Sequence, residues 1–281
     1  MAAHRKTIYE AYGRGLESEL PLPFPEAAPG TELVGAIRLL DRAPAAPAGR
    51  DGPLRYSVGN PSWELAWDGE AHYRIGEQEI GVATLGGELP AITARLSGQV
   101  LGLFLRRKGD LVLHANVVAR RGEAVALVGP TGAGKTTVTR ALLDAGYSFM
   151  SDDLCVARRA GDGWYVFGGP AALKVRSGDG KVIQKVEPGL RKARLQRIVV
   201  LRAQAPVAMA RANGAGALLE LVRHAHVPRS LDETGLAGQH FDQCGALCRS
   251  VPLYVLDRGD GPRDLAAACL NIESLESDVR S

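Results

Sequence analysis

One segment constrains this chain more than any other: residues 129–136 read GPTGAGKT. They match the pattern G-x-x-x-x-G-K-[ST] at every fixed position. Glycines in such a segment let the backbone curl, so that successive N–H groups point into one cavity where a phosphate group can sit. An apolar stretch ending at Val128 comes before it, and an amphipathic stretch with Val138 and Leu142 runs on to Gly146. A strand, a glycine-rich loop and a helix are therefore predicted in that order.

This loop predicts a nucleotide-binding site. The helix after it, from Lys135 to about Ala145, directs the positive end of its dipole at the same anion. Lys135 adds a mobile cation for the β- and γ-phosphates, and the hydroxyl of Thr136 can ligate Mg²⁺. We expect the nucleotide to contact the loop and the first helical turn, namely Gly129, Pro130, Thr131, Gly132, Ala133, Gly134, Lys135, Thr136 and Thr137.

Two adjacent carboxylates, Asp152 and Asp153, follow the loop helix closely. The segment YSFM before them predicts a short strand, and open α/β sheets bind their ligands at such strand ends. One carboxylate there can bind Mg²⁺, while the other can accept a proton from an attacking hydroxyl. His114 lies on a predicted neighbouring strand, so its ring can reach the same cavity. The sequence leaves open which carboxylate takes which role.

The chain on either side of the loop alternates between helical and strand patterns. Apolar residues recur at helical spacing between Ile92 and Phe104. Two strands are predicted next, Leu111–Val118 and Glu123–Val128, joined by a turn at residues 120–122. Further strands and helices are expected to the C-terminus. The whole pattern predicts an α/β fold, a mixed sheet with flanking helices.

Two cations lie on one face of a predicted strand downstream, Lys174 and Arg176. They can contact either a phosphate group or a carboxylate of the substrate, and an exposed strand face explains them equally well. Neither interpretation is favoured by the residues alone.

Before Pro90 the chain is rich in turn formers and short alternating segments, which indicates a small β-rich region. Trp63, Leu65 and Trp67 fall at spacing two, as on one face of a strand, and a core position is the favoured role for the two indoles. We therefore expect a β-rich N-terminal region over residues 1–90, a candidate substrate-binding region. A catalytic domain is expected over residues 91–281.

Composition excludes several classes of protein. The 34 basic and 31 acidic residues give a net charge of +3, which offers no general argument for binding nucleic acid or a membrane surface. No stretch reaches the roughly 18 consecutive apolar residues of a membrane span. The four cysteines form no C-x-x-C pair, so we expect reduced, mostly buried thiols without structural zinc. These features favour a cytoplasmic protein.

The segment LHANVVARRGEAVALVGPTGAGKTTVTRALLDAGYSFMSDD resembles the catalytic core of the HPr kinase/phosphorylase family. The shared pattern is a histidine on a strand, a glycine-rich loop about a dozen residues later, a short helix and an Asp-Asp pair. The resemblance implies a P-loop kinase core of HPr-kinase type that uses ATP and Mg²⁺. It implies Asp152 as catalytic base assisted by His114, Asp153 as a magnesium ligand with Thr136, and Lys135 as a phosphate contact.

The chain is most similar to the shorter members of that family, which are found with peptide-modification clusters and include kinases of lasso-peptide precursors. The resemblance does not extend to the HPr-binding segment or to the long N-terminal domain of the full-length enzymes. The resemblance implies a serine kinase acting on a protein or peptide, and a homo-oligomer. Two other functions stay open: a nucleotide-dependent switch with slow ATP turnover, and a small-molecule kinase.

Overall fold

A computed structural model describes residues 6–59, 61–177, 180–224, 235–259 and 261–275. The chain divides into two compact units, Met1–Asp110 with His226–Gln239, and Leu111–Ala225 with His240–Ser281. Both contain strands and helices, so the protein is a mixed α/β protein. Within the described ranges, no helix is long and apolar enough to cross a membrane.

The first unit is built on an eight-stranded sheet. Most residues of its strands Trp63–Trp67, Ala71–Ile75 and Glu79–Thr84 are buried, whereas the edge strand Gly49–Asp51 has no buried residue. Short turns connect most of them. In chain order the strands are β1 (Thr7–Ala11), β2 (Arg14–Ser18), β3 (Leu33–Leu39), β4 (Gly49–Asp51), β5 (Leu54–Val58), β6 (Trp63–Trp67), β7 (Ala71–Ile75) and β8 (Glu79–Thr84).

The strand order in this sheet is β1-β2-β3-β8-β7-β6-β5-β4, with parallel pairing only at β2–β3 and β3–β8. Two helices follow, α1 (Leu89–Arg95) and α2 (Leu101–Arg107), joined by a π-helical turn. The helical prediction for this segment is confirmed. Trp63 and Trp67 on β6 are 6% and 4% exposed, so their predicted role in the core is confirmed as well.

The second unit contains a nine-stranded mixed sheet and a separate two-stranded sheet. Both start from strands close to the glycine-rich segment. The strands are β9 (Leu111–Leu113), β10 (Ala115–Arg120), β11 (Glu123–Val128), β12 (Ser148–Ser151), β13 (Cys155–Ala160), β14 (Gly163–Phe167), β15 (Ala172–Ser177), β16 (Gly180–Lys185), β17 (Lys192–Arg202), β18 (Ala208–Ala212) and β19 (Leu253–Asp257).

In the larger sheet β11, β17 and β19 run parallel, and β10 lies antiparallel between β11 and β12. The long strand β17 joins the two halves of the sheet, because its first residues pair with β14 and its last residues with β19. Strands β15 and β16 form a hairpin that pairs with neither half. The predicted mixed sheet with flanking helices is thus what this unit shows.

Apolar residues on β17 alternate between the two faces of the sheet. Ile198 and Val200 belong to a core on one face, while Val199 and Leu201 belong to a core on the other. Helices cover both faces, since a helix buries one apolar stripe and a central strand buries both its faces. One pair, α4 (Gly214–Arg223) and α5 (Ala237–Ser250), packs on the first core; the other pair, α3 (Lys135–Asp144) and α6 (Pro262–Ser274), packs on the second.

Two expectations about this unit need correction. The single strand expected at Leu111–Val118 is two strands, because the chain breaks at His114 and the two halves pair with different partners. Helix α6 was not anticipated. The cysteines behave as expected in being mostly buried: Cys155, Cys244 and Cys269 are buried, and burial raises the pKa of the Cys155 thiol to about 12.

Candidate active site

One edge of the second unit's sheet collects the chemically active residues of the sequence. The parallel strands β11 and β19 end at this edge, and β12 ends there too because it runs antiparallel to β10. Strand β10 begins at the same edge, since Ala115 pairs with Val128. The glycine-rich loop, the Asp pair and His114 are therefore brought together by strand directions. Ligands of α/β sheets bind at such an edge.

The glycine-rich loop has the conformation of an anion-binding turn. Gly129, Gly132 and Gly134 have positive φ angles, and Gly134 is the N-cap of α3 with φ 91°. Ala133 N–H donates to Pro130 O at 3.1 Å, which closes the turn. Lys135 is 7% exposed, and its Nζ donates to Gly129 O at 2.7 Å, so the side chain lies across the loop. Its ammonium is thereby held against the backbone of the loop.

Within the loop, Thr131 and Thr137 are exposed and Thr136 is half-buried. The hydroxyl of Thr136 donates to Lys174 O at 3.4 Å. This contact brings β15 to the start of α3. The first helical turn and the β15–β16 hairpin therefore lie side by side at this edge.

The Asp pair is held by backbone and side-chain donors. Lys174 N–H donates to Asp152 Oδ2 at 2.7 Å, and Lys174 Nζ lies 3.1 Å from Asp153 Oδ2. Asp153 has φ 63°, a left-handed conformation that few non-glycine residues adopt. Such a conformation is kept where surrounding contacts fix it, often at functional sites. Both carboxylates thus contact Lys174, one through its backbone N–H and the other through its ammonium.

Lys174, which the sequence suggested as a phosphate or substrate contact, thus lies between the loop helix and both carboxylates. Arg176 is on the same strand, and its side chain lies outside the described residues. The Lys174 side chain is 41% exposed.

His114 contacts the Asp pair through the backbone. Its Nδ1 lies 3.0 Å from Asp153 O, and a carbonyl oxygen can only accept a hydrogen bond, so Nδ1 carries the proton. In the neutral ring the lone pair is then on Nε2. The fully buried Asn116 adds a second contact, because its Oδ1 accepts from Asp153 N–H at 3.3 Å and its Nδ2 donates to Thr139 at 3.1 Å.

A second histidine, His224, lies near the site at the end of α4. Its backbone oxygen accepts a hydrogen bond from His114 N–H at 2.8 Å. Burial lowers the pKa of the His224 imidazole to about 4; Glu220 opposes the shift, and the charges of Lys135 and His114 add to it. The ring is therefore neutral at neutral pH. Sequence patterns give no sign of its position, because it depends on where α4 packs.

Arg258 is the most important site residue that was not predicted from the sequence. It directly follows β19, and its Nε donates to Ala133 O in the glycine-rich loop at 2.7 Å. Asn116 was missed too. Both had a signal: Asn116 is a polar residue inside an apolar strand, and Arg258 follows a strand end, the same argument that singled out Asp152 and Asp153.

The donor set at this edge fits a magnesium ion. Mg²⁺ prefers oxygen ligands, and it is usually bound by one or two carboxylates together with substrate phosphates. The oxygens on offer are the Thr136 hydroxyl, which donates to Lys174 O, and the carboxylates of Asp152 and Asp153, which contact Lys174 N–H and Lys174 Nζ. No group of three or more His, Cys, Asp or Glu side chains suited to hold a metal occurs among the described residues. Phosphate oxygens would have to complete the coordination.

Comparisons with known proteins give little to add to this geometry. No protein-family model matches the chain, and no curated protein matches it. Among solved structures, the chain is similar to the HPr(Ser) kinase/phosphatase from Coxiella burnetii, with 14% sequence identity and a TM-score of 0.36. That match covers 60% of this chain and 95% of the other. A similarity at this level is too weak to support an argument about function.

Proposed function

We propose that the protein is a Mg-ATP-dependent kinase that transfers the γ-phosphoryl group to a serine hydroxyl of a protein or peptide. The observation behind the proposal is the meeting, at one sheet edge, of a glycine-rich phosphate loop, an Asp pair and a histidine. Phosphoryl transfer needs positioned phosphates, neutralised charge and a base near the acceptor oxygen. We also propose that the second unit is a P-loop kinase core of HPr-kinase type.

Asp152 is the proposed base. The acceptor hydroxyl attacks the γ-phosphorus, an O–P bond forms, the bond to the bridging oxygen of ADP breaks, and the hydroxyl proton moves to the Asp152 carboxylate. Lys174 N–H fixes Asp152 through Oδ2, which orients the carboxylate. His114 acts through the backbone: by donating from Nδ1 to Asp153 O it holds the left-handed turn at Asp153.

Thr136 and Asp153 are the proposed ligands of Mg²⁺, whose charge neutralises the triphosphate when bound. Lys135 contributes a second positive charge to the phosphates from across the loop. The ammonium of Lys174, paired with Asp153, is placed to meet either a phosphate or an acidic group of the substrate.

A peptide acceptor is proposed over a small molecule because of the β15–β16 hairpin. This hairpin pairs with no other strand among the described residues, and its second strand exposes Val182 and Ile183 at 48% and 61%. Exposed apolar side chains beside an unpaired strand suit an extended peptide, which can add main-chain hydrogen bonds to such an edge. The opposite edge of the hairpin contacts the Asp pair through Lys174.

Transfer of label from γ-labelled ATP to a serine peptide tests the proposal. We expect Mg-dependent label on the peptide with the wild-type protein, and none when serine is replaced by alanine. Lys135→Ala should lose most Mg-ATP binding, whereas Arg140→Ala, an exposed cation on the same helix, should bind as the wild type does.

Two outcomes would overturn the proposal. Tight Mg-ATP binding with slow hydrolysis and no labelled acceptor would favour a nucleotide-dependent switch. Label on a small hydroxyl compound but on no peptide would favour a small-molecule kinase.

A further inference from the structure

An arginine outside the glycine-rich motif holds the loop through a hydrogen bond. Arg258 is half-buried, and two of its nitrogens have backbone acceptors: Nε donates to Ala133 O at 2.7 Å, and Nη1 donates to Gly259 O at 2.9 Å. Its own N–H donates to Arg202 O at 3.0 Å. The backbone of Arg258 is therefore fixed to the sheet, while its guanidinium bridges the glycine-rich loop and Gly259 O.

Because a peptide bond is planar, this contact also fixes the direction of the Gly134 N–H. The carbonyl of Ala133 and the N–H of Gly134 belong to one trans peptide unit, so they point in opposite directions. Because Arg258 binds the carbonyl, the Gly134 N–H of the same peptide unit points away from the guanidinium. A hydrogen bond from a charged donor to the carbonyl also polarises the peptide, which makes its N–H a stronger donor.

The absence of a side chain at Gly134 leaves room for Arg258 and also permits the positive φ angle of Gly134. A methyl group added to Gly134 would overlap Nε of Arg258 and lie 2.9 Å from its Cζ. Any side chain there would push the guanidinium away from Ala133. The glycine before the motif lysine thus gives Arg258 its access to the loop.

We propose that Arg258 is a positioning residue of the phosphate loop: it orients the Ala133–Gly134 peptide so that Gly134 N–H binds a nucleotide phosphate. The inference rests on the proposed nucleotide site. It assigns to the segment after β19 a part in nucleotide affinity that the loop motif does not include. In this proposal Arg258 acts through the loop and not directly on the reacting atoms.

The test is the affinity of folded variants for two probes, Mg-ATP and Mg-bound inorganic triphosphate. Arg258→Met and Arg258→Gln should each weaken the binding of both probes by about 10- to 100-fold, the loss of one hydrogen bond to a charged donor. The matched control is Arg263→Met, an exposed arginine on the neighbouring helix α6, which should bind both probes as the wild type does. Loss for Mg-ATP alone would point to a base or ribose contact and would overturn the inference.

A double-mutant cycle separates positioning from general damage. Gly134→Ala removes the access of Arg258, so the double variant Gly134→Ala/Arg258→Met should bind no more weakly than the weaker single variant. Additive losses would overturn the inference. A wild-type protein that binds neither probe would refute the proposed nucleotide site itself. A wild type that binds both while Arg258→Met matches the control would refute only the role of Arg258. If neither Arg258 variant folds, the residue serves the fold and the inference fails.

Discussion

The two units of this protein use their polar residues in opposite ways. In the first unit they pair with each other across strands: buried His72 lies 2.6 Å from Glu64, and Arg74 lies 2.8 Å from the same carboxylate. Burial alone would raise the pKa of Glu64, but these two hydrogen bonds outweigh it and lower that pKa. In the second unit the polar residues lie at strand ends, where Asp152 is bound by a backbone N–H and Asp153 sits in a left-handed turn.

This difference indicates where each unit tolerates change. A carboxylate already bonded to a histidine and an arginine across a sheet has little capacity left for a ligand. The carboxylates of Asp152 and Asp153 are held at a defined position beside a backbone N–H and a partly exposed lysine side chain, which is what a reaction needs. We therefore expect substitutions in the first unit to lower stability, and those at the strand ends of the second to lower activity. Four experiments test the contrast.

The largest effect is expected at Asp152. Replacing it by asparagine keeps the shape but removes the proposed proton acceptor, so the rate of phosphoryl transfer should fall by about 10²- to 10⁴-fold. Mg-ATP affinity should stay close to that of the wild type. Asp153→Asn is the matched variant, and it should instead raise the Mg²⁺ concentration needed. Single-turnover transfer and calorimetric Mg-ATP binding distinguish the two; unchanged transfer rates in both would remove the Asp pair from the reaction.

The next effect concerns stability in the first unit. Leu65 on β6 is completely buried, so Leu65→Ala should lower the free energy of unfolding by about 2 to 5 kcal/mol. The control is Leu219→Ala in the second unit, an exposed position at 54% that should cost about 0.5 kcal/mol or less. Urea unfolding followed by circular dichroism measures both. A drop in Mg-ATP affinity of folded Leu65→Ala protein would break the proposed separation of roles.

A smaller effect on stability is expected in the second unit, at a turn away from the site. It should show that the position of a residue, and not the unit it belongs to, decides whether stability or activity changes. The turn between β10 and β11 lies at the end of those strands away from the site, and Arg121 and Gly122 both have positive φ, 55° and 82°. Two-residue turns of this type favour Asn-Gly. Arg121→Asn should therefore raise the free energy of unfolding by something on the order of 0.5–1 kcal/mol. Thermal unfolding checks this, and a lower melting temperature would contradict it.

The last effect is a dependence of stability on pH through His224. Its pKa falls from an ordinary 6.5 to about 4 in the folded protein, so between those values the unfolded chain binds more protons. This histidine's share of the stability is complete above pH 6.5 and is lost as the pH falls toward 4. The curve of unfolding free energy against pH should be flatter for His224→Gln over that interval. Parallel curves for the two proteins would contradict the assignment.

Much of the fold follows from local pattern. The helical segment near Ile92 and the strand through Trp63 were predictable because their apolar residues recur at the spacing of the element they form. The break at His114 was not, since it reflects two different pairing partners, β13 before it and β11 after it. Helix α6 had two local signals in the sequence, a proline in its first turn and the acidic residue Asp264. The pattern around the glycine-rich loop did not point to either of them.

The residues of the site likewise divide into those that the sequence predicts and those that it does not. The loop, Lys135 and the Asp pair are close in sequence, so a motif with its flanking strands predicts their meeting. Lys174 was suggested without a partner, because the β15 hairpin reaches Asp152 only through tertiary packing. Arg258 is bonded to a residue 125 positions away, and its approach depends on the parallel pairing of β17 with β19. The roles of these residues, and the boundary at residue 90, stay predictions.

The distance along the chain between Arg258 and Ala133 has a consequence during synthesis. At about 5 to 20 residues per second, the ribosome adds the 125 intervening residues in roughly 6 to 25 s. Throughout that interval a nascent chain displays the whole glycine-rich motif but not the strand that fixes its peptide plane. Capture of nucleotide at full affinity would then coincide with translation of the final strand, so that bound ATP would mark the molecules whose sheet is complete.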